Sequence, residues 1–547
     1  MLIKNKPKNK PARSFEESMK SWQTSRFPSY HSPRMNGHLE NKKQGVNSMK
    51  LEALTRRSEE IELKLALPTS DPSSLGKQLA RTPALARRKA THLHLHNVYY
   101  DTPEQILRRE RVALRIRRLG SDARPQWLQT LKLGGRGDSA LSQRGEWETA
   151  VPDAALALDA LEATPWSRID PDGTVFRALA PCFVTTFDRT SWSVHKRDGS
   201  VVEVSLDVGQ IAAGDKSAPI CELELELIAG QPAVLFDLAQ QIARTIAVLP
   251  SNLSKAERGY ALAQDSLDMP LRARPPSLAS DMPLPEAAQH VLREMFCQFT
   301  FNLNALRTSD DPEVVHQARV GWRRFKSACR LFKPALSVNA VPSWQELQPL
   351  LTFLGDLRDL DVARTETLPP LADAYAAGDA RRTKAWQAMG QALMQAADLQ
   401  RKAVRYALKE PAVGVALLAT TQWLEGLSGP NGPDDARVEP EMTLRRWARR
   451  RMVRLHGQLR LALKDAGNPV SQHRARIFAK RMRYGIEALR PLLPKRRAQR
   501  WHQQATGLQT SIGATRDVRQ AGVLAARLEA DGGLVEFLRG VAVGQER

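Results

Sequence analysis

The sequence predicts a multidomain protein: an antiparallel eight-stranded β-barrel with helices outside it, followed by an all-α domain of two repeated helical bundles. Three observations carry this expectation. Up to about residue 264, segment after segment alternates charged and apolar residues, the period of a strand. Between Asp265 and Pro285 the chain is broken by Pro270, Pro275, Pro276, Pro283 and Pro285, the composition of a linker. Beyond it Ala, Leu, Gln and Arg dominate at helical spacing, and one helix pattern occurs twice.

The first strand is Glu60-Ile61-Glu62-Leu63-Lys64-Leu65. Successive side chains of a strand point to opposite faces, so Glu60, Glu62 and Lys64 share one face and the apolar residues the other. Taken alone, this hexamer is an ordinary amphipathic strand with a solvated face. A helical stretch follows around Leu75 to Leu85, then an alternating segment from Thr91 to Thr102. Val112 to Arg118 sets Arg115 and Arg117 against Leu114 and Ile116, and Trp127 to Lys132 repeats the pattern with Lys132. Glu146-Trp147-Glu148 is a short acidic strand, and Phe187-Asp188-Arg189 opens another through Trp192 and Val194. Val202 to Asp207 places Glu203, Ser205 and Asp207 on one face, and Glu222-Leu223-Glu224-Leu225-Glu226-Leu227 mirrors the opening hexamer.

Solvated faces mix charge signs, whereas here whole strands are acidic or basic. About eight such strands could close into a barrel and abolish the sheet edges. With helices covering the outside, the charged face points inward. Buried charges without partners are costly, so such a lumen calls for a charged, multivalent guest. Acidic strands suit divalent metals, which take oxygen ligands. Basic strands suit phosphate oxygens. Together they fit a metal–polyphosphate complex.

Composition narrows the alternatives. At roughly 150 residues per domain, 547 residues allow two to four domains. The formal net charge of +22 calls for a polyanionic partner: nucleic acid, anionic membrane or polyphosphate. No apolar run of about 18 residues predicts a transmembrane helix. No P-loop, helix-turn-helix, zinc-finger or RRM pattern occurs, which argues against a P-loop nucleotidase and a nucleic-acid binder. The four cysteines form no CxxC pair and suit a reducing, cytoplasmic compartment. Residues 1–48 are a basic leader of disordered composition without the apolar core of a secretory signal, and Met49 is a candidate start. His92, His94 and His96 share a strand face, but their spacing matches no standard metal site.

In the second half, Val315 to Pro334 aligns with Gln472 to Pro491. His316 matches His473, Arg319 matches Arg476, Arg323 matches Lys480 and Lys326 matches Arg483. Leu354-Gly355 to Arg358-Asp359 recurs as Ile512-Gly513 to Arg516-Asp517. The repeat predicts two bundles related by a pseudo-two-fold. Ala318, Gly321, Trp322, Phe325, Ala328, Cys329 and Phe332 form the buried stripe of the first histidine helix. His316, Arg319, Arg323, Lys326 and Arg330 form a separate cationic stripe. Val314 to Lys333 contains no acidic residue that would neutralise it.

The ordered series of strand motifs resembles the CYTH domain of the triphosphate tunnel metalloenzymes, over residues 49–264. The resemblance rests on Glu60, Glu62 and Lys64; Tyr99-Tyr100-Asp101-Thr102; Arg115 and Arg117; Thr130-Leu131-Lys132; Arg189; the Glu203–Asp207 and Glu222/Glu224 strands; and Ser254-Lys255-Ala256-Glu257-Arg258-Gly259-Tyr260. It implies an eight-stranded tunnel and metal-dependent cleavage of a triphosphate. Glu60, Glu62, Asp207, Glu222 and Glu224 would hold Mg2+ or Mn2+. Lys64, Arg115, Arg117, Lys132, Arg189 and Lys255 would grip phosphate, with Glu60, Glu62 and Lys64 in catalytic roles. After a linker at 265–284, residues 285–540 resemble the CHAD domain, leaving a short tail at 541–547. CHAD domains commonly follow a CYTH domain and are associated with inorganic polyphosphate. That resemblance implies polyphosphate binding by His316, Arg319, Arg323, Lys326, Arg330, His473, Arg476, Lys480 and Arg483. The expected activity is hydrolysis of inorganic triphosphate or short polyphosphate. The alternatives are a non-catalytic, granule-associated polyphosphate binder, or an activity like that of class IV adenylate cyclases or thiamine triphosphatases.

Overall fold

The computed structural model describes residues 59–544, apart from 70, 121–123, 136–138, 337–340, 429–441 and 465–468, and the side chains of 469, 470, 472, 473 and 511–514. The basic leader, Met49 and the last three residues lie outside the described residues.

The first half is one antiparallel sheet. Its strands are β1 (Glu60–Ala66), β2 (Ala90–Asp101), β3 (Val112–Leu119), β4 (Gln126–Leu133), β5 (Leu141–Arg144), β6 (Glu146–Val151), β7 (Ala180–His195), β8 (Val201–Ala213), β9 (Lys216–Ala229) and β10 (Leu249–Pro250). The order β1-β9-β8-β7-β2-β3-β4-β6 runs around the sheet. β5 pairs with β1 while β6 pairs with β4. Only Gly145 separates them, so one bent strand joins both ends of the sheet and closes it into a barrel. With β5 and β6 taken as one strand and β10 as a two-residue addition to β1, the wall has the eight predicted strands. The Trp147 ring packs directly over Gly145 at the bend: a Cβ there would lie 2.3 Å from it.

The register carries the charged residues inward in rows. Lys64 stands opposite Glu224 and Glu224 opposite Ser205; Glu222 stands opposite Asp207 and Asp207 opposite Arg189. Over much of the barrel the alternate residues face outward and are covered, while His94 of β2 and Asp188 of β7 face outward into solvent. Leu63, Leu65, Val202, Val204, Leu223 and Leu225 pack against Leu235, Leu238 and Ile242 of a helix at Ala233–Ala243. Leu114 and Leu131 pack under Leu161, Trp166 and Val175 in the β6–β7 connection. With the charged face turned inward and largely buried, the barrel can afford a polar interior only if that interior satisfies itself.

One end of the lumen is closed by a helix at Lys255–Ala263. Ser254 and Glu257 form a reciprocal capping box at its start. Tyr260 and Leu262 fill the lumen with Leu95, Tyr99, Phe183 and Phe187. Gly259 lies so close to Phe183 that a Cβ would fall 2.2 Å from its ring. Asp101, buried, accepts hydrogen bonds from the Leu107 and Arg108 amides and from the Tyr260 hydroxyl at 2.9 Å. That bond ties the Tyr-Tyr-Asp-Thr element to the closing helix.

The second half is helical among its described residues: α1 (Leu284–Ala305), α2 (Pro312–Leu331), α3 (Gln348–Val362), α4 (Ala380–Ala407), α5 (Pro411–Glu425), α6 (Leu444–Lys464), α7 (Pro469–Leu489), α8 (Lys495–Arg527) and α9 (Gly532–Gly544). The two histidine helices of the repeat are α2 and α7, and both contribute to one core. The halves share packing. Leu418 of α5 joins the barrel's outer core, and Leu249 of β10 joins the helical core. The Arg307 guanidinium donates to the Leu67 carbonyl at 3.0 Å and the Asn304 amide to the Pro250 carbonyl at 2.9 Å.

Candidate active site

The lumen interleaves cations and carboxylates. Lys132 donates to Glu60 at 2.9 Å and pairs with Glu146 at 3.0 Å. Arg144 clamps Glu60 and Glu62, and Lys64 pairs with Glu62 and, at 3.6 Å, with Glu224. Arg115 reaches Glu146 at 3.8 Å and donates to the Tyr99 hydroxyl at 3.3 Å. Arg117 donates Nε to Asn97 at 2.9 Å and pairs with Glu148 at 3.8 Å. These charges are buried: Glu62 is 2% exposed, Lys64 5% and Arg115 7%.

At the closed end the charges converge most tightly. Asp207, Glu222 and Glu224 can bring one oxygen each within 4.8 Å of one another. Lys255, the first residue of the closing helix, sets its ammonium among all three, 2.6 Å from Asp207 and 2.9 Å from Glu224. Arg189 holds Asp207 through Nε at 2.7 Å and through Nη2 at 2.6 Å, and reaches Glu224 at 2.6 Å. Burial works against ionisation of Glu224, but Lys255, Lys64 and Arg189 outweigh it and hold the carboxyl well below the usual range. Burial likewise opposes the charge of Lys255, and its three carboxylates override it and raise its pKa. Further along the lumen, burial and then Glu60 push Glu226 up to about 7. An all-oxygen set of three carboxylates suits a hard divalent ion such as Mg2+ or Mn2+. The cluster already accommodates a cation, the Lys255 ammonium, so the residues present fit such an ion.

Of the five expected metal ligands, the structure brings Asp207, Glu222 and Glu224 together. Glu60 and Glu62 stand across Lys64, held by Lys132 and Arg144. The six expected phosphate ligands, Lys64, Arg115, Arg117, Lys132, Arg189 and Lys255, all line the same cavity. Sequence reasoning missed Arg144, Glu146, Glu148 and Arg258. Arg144 stands in the short segment before Gly145, where the strand looks too brief to alternate. Glu146 and Glu148 were legible as an acidic strand but not as the partners of Arg115 and Arg117. Arg258 sits one helical turn beyond Lys255 and meets Glu222 at 3.4 Å. His92, His94 and His96 lie outside the lumen, against Thr190, Asp188 and Thr186.

In the helical half the two stripes meet. The charge of Lys480 on α7 is felt by Arg476, Arg323 of α2 and Arg516 of α8. Burial, then this cationic company, pulls Lys480 down to about 8. Arg319 is held below its usual value by burial and then Arg323, with Asp359 opposing. His316 is likewise lowered, by burial and then Arg358. Lys326, Arg476 and Arg483 are half-buried while Arg323 and Arg330 are exposed. The side chain of His473 lies outside those described. Arg516 was missed as a site residue, although the repeat aligns it with Arg358. Arg324, next to Arg323, is not on the stripe: it is 1% exposed and pairs with Glu294 at 3.2 Å and Glu487 at 3.5 Å.

A closed antiparallel barrel with a lumen of paired carboxylates and cations, joined to a repeated helical domain, defines a two-domain protein with a charged tunnel. Family models agree in both halves: residues 58–260 match the CYTH domain and residues 290–526 the CHAD domain, so the chain is a CYTH–CHAD protein. An inorganic triphosphatase of Haemophilus influenzae is 34% identical over 206 residues, which are 37% of this chain and 55% of that protein. The chain thus spans about half the length of that curated relative. Among solved structures, the CHAD domain of the plant Ricinus communis is 27% identical, covers 51% of this chain and 91% of its own, and superposes with a TM-score of 0.43. A Hippeastrum protein with a dominant triphosphatase activity is 20% identical, covering 37% of this chain and 95% of its own, with a TM-score of 0.28.

Proposed function

We propose that the barrel hydrolyses inorganic triphosphate, or a short polyphosphate, with the help of a divalent cation, and that the helical domain binds polyphosphate. One observation carries the first part. Three carboxylates converge on one point of a buried lumen whose walls present six cations of the kind that bind phosphate oxygens. The likeness to an inorganic triphosphatase supports the same reading. Asp207, Glu222 and Glu224 would hold the metal, Mg2+ or Mn2+, which would offset phosphate charge and act as a Lewis acid. Arg115, Arg117, Lys132, Lys64 and Arg189 would grip the phosphate oxygens. Each is already aimed by a carboxylate or amide partner, so little reorganisation is needed when substrate enters. Water would attack the terminal phosphorus, the bond from that phosphorus to the bridging oxygen would break so that orthophosphate and diphosphate form, and Glu60 or Glu62 would take the proton of the water. Burial of these groups strengthens every charge interaction in the lumen.

For the second domain, the supporting observation is the meeting of Arg319, Arg323, Arg476, Lys480 and Arg516 from three helices. Burial, and then the cations gathered around it, depress the pKa of Lys480, and a polyanion would relieve the repulsion among those cations. The deciding experiment is phosphate release from tripolyphosphate, ATP and thiamine triphosphate, each with Mg2+ or Mn2+. Fastest release from tripolyphosphate is expected. Release from none of the three would leave the polyphosphate-binding reading alone standing.

A further inference from the structure

The lumen opens into a cavity of about 1450 Å³ that the barrel alone does not enclose. Its wall passes from Lys64 and Lys255 to Arg293, Phe301 and Glu425 of the helical domain. Pockets that surround a drug-sized ligand hold about 300–1,000 Å³, and a triphosphate is smaller than such a ligand. Space for further phosphates therefore remains at the junction of the two domains.

A cation stands ready there. Arg293, on α1, has a side chain only 12% exposed and pairs with Glu425 at the end of α5. Its Nε is buried and has no hydrogen-bond partner among the described residues. Glu425 is fixed from the barrel side, accepting a hydrogen bond from Ser139 Oγ at 2.6 Å. The arrangement repeats that of the lumen: a buried cation oriented by a carboxylate, with donor capacity to spare. A buried guanidinium N–H without an acceptor costs free energy that an arriving phosphate oxygen would recover.

We propose that Arg293 is a substrate-binding residue supplied by the helical domain, taking a phosphate of chains that extend beyond the three held in the lumen, so that the domain junction sets the preferred chain length. This rests on the triphosphatase reading above.

The test is steady-state hydrolysis by the full chain of tripolyphosphate and linear hexaphosphate side by side, read as the ratio of their kcat/KM values. Arg293→Ala should lower the hexaphosphate-to-triphosphate ratio about tenfold, the scale of one lost charge-assisted hydrogen bond. Arg293→Lys should fall between, because it keeps the charge and loses the fork. Glu425→Gln should raise the ratio, since the carboxylate no longer competes with phosphate for Arg293. Unchanged ratios in folded Arg293→Ala and Glu425→Gln proteins would overturn the proposal. If Arg293→Ala fails to fold, the opposite shifts expected for Arg293→Lys and Glu425→Gln decide the matter. If the wild type cleaves no triphosphate at all, the triphosphatase reading fails separately. Calorimetric binding of hexaphosphate to the same variants then tests Arg293 by itself: weaker binding by Arg293→Lys supports the site, and equal binding refutes it.

Discussion

Lys255→Met should destabilise the barrel and make it hungry for metal. Lys255 is 6% exposed and is the shared partner of Asp207, Glu222 and Glu224. Methionine keeps the length of the side chain but removes the charge. Removing one partner of a buried ion pair costs about 3–5 kcal/mol, because the remaining charge is left uncompensated. Arg189 still holds Asp207 and Glu224, and Arg258 still meets Glu222, so the lower figure of about 3 kcal/mol applies. In a domain of roughly 200 residues each kcal/mol moves Tm by about 2–4 °C, which gives a fall of about 6–12 °C. A divalent cation bound at the three carboxylates would return the missing charge. At a hundredfold excess over its Kd it adds about 2.7 kcal/mol. The assay is thermal unfolding of the full chain, wild type and variant, with and without saturating Mg2+ or Mn2+. Metal should raise the variant's barrel transition more than the wild type's, since in the wild type the ion meets the Lys255 ammonium. A variant that melts within about 2 °C of wild type, less than the effect of one kcal/mol, would refute this account of the cluster. Identical metal-induced shifts in the two proteins would refute the shared location of ammonium and metal.

Three further outcomes follow from the same geometry. Excess EDTA should abolish phosphate release, and Glu224→Gln should reproduce that loss in the presence of Mg2+; full activity in EDTA would rule out the metal. Arg117→Ala should raise the KM for tripolyphosphate about tenfold or more, as expected for a lost hydrogen bond to a charged group, while circular dichroism stays unchanged; an unaltered titration curve would place Arg117 outside the substrate's reach. Polyphosphate affinity of the full chain should rise as pH falls through about 8 and then level off, because bound polyanion favours the protonated form of Lys480, whose pKa is depressed to about 8; Lys480→Arg should flatten that profile, and a profile that persists in the variant would assign the titration to another group.

The barrel was legible because its alternation is strict. Glu60, Glu62 and Lys64, or Glu222, Glu224 and Glu226, fall on one face whatever the strand's neighbours are. What a strand cannot declare is its partner. Arg144 became visible only when β5 was seen to leave β1 and continue as β6 beside β4, a change of neighbour made at a single glycine. The convergence of Asp207, Glu222 and Glu224 required the β8–β9 register, which no single strand encodes. In the helical half, the repeat displayed the stripe, but the phase of a helix sets apart residues that are neighbours in sequence. Arg323 is exposed while Arg324 is 1% exposed and bound to Glu294 and Glu487. Charge type alone made the two look equivalent. The helical wall of the cavity, with Arg293 and Glu425, lies in segments whose sequence reads as ordinary amphipathic helix; only the docking of the domains gives it a role.

The charge balance of the cavity explains why metal should matter for binding as well as for chemistry. Eleven lysine and arginine side chains and ten glutamates line it, and Asp207 and Glu222 lie beside them in contact with Lys255. The chain's large positive excess therefore resides elsewhere, and the lumen is close to neutral. A neutral lumen is the condition for folding: a deep cluster of unpaired cations would repel itself and lose its hydration. The same neutrality leaves little net attraction for a triphosphate. Every cation that could grip a phosphate oxygen must first share its carboxylate. A divalent ion shifts that balance at the point where three carboxylates are concentrated, releasing Lys255 and Arg189 to turn toward phosphate. Metal and substrate would then bind cooperatively, the metal taking the carboxylates and the phosphate the cations they release, with the apo barrel held together by the ion pairs that binding rearranges.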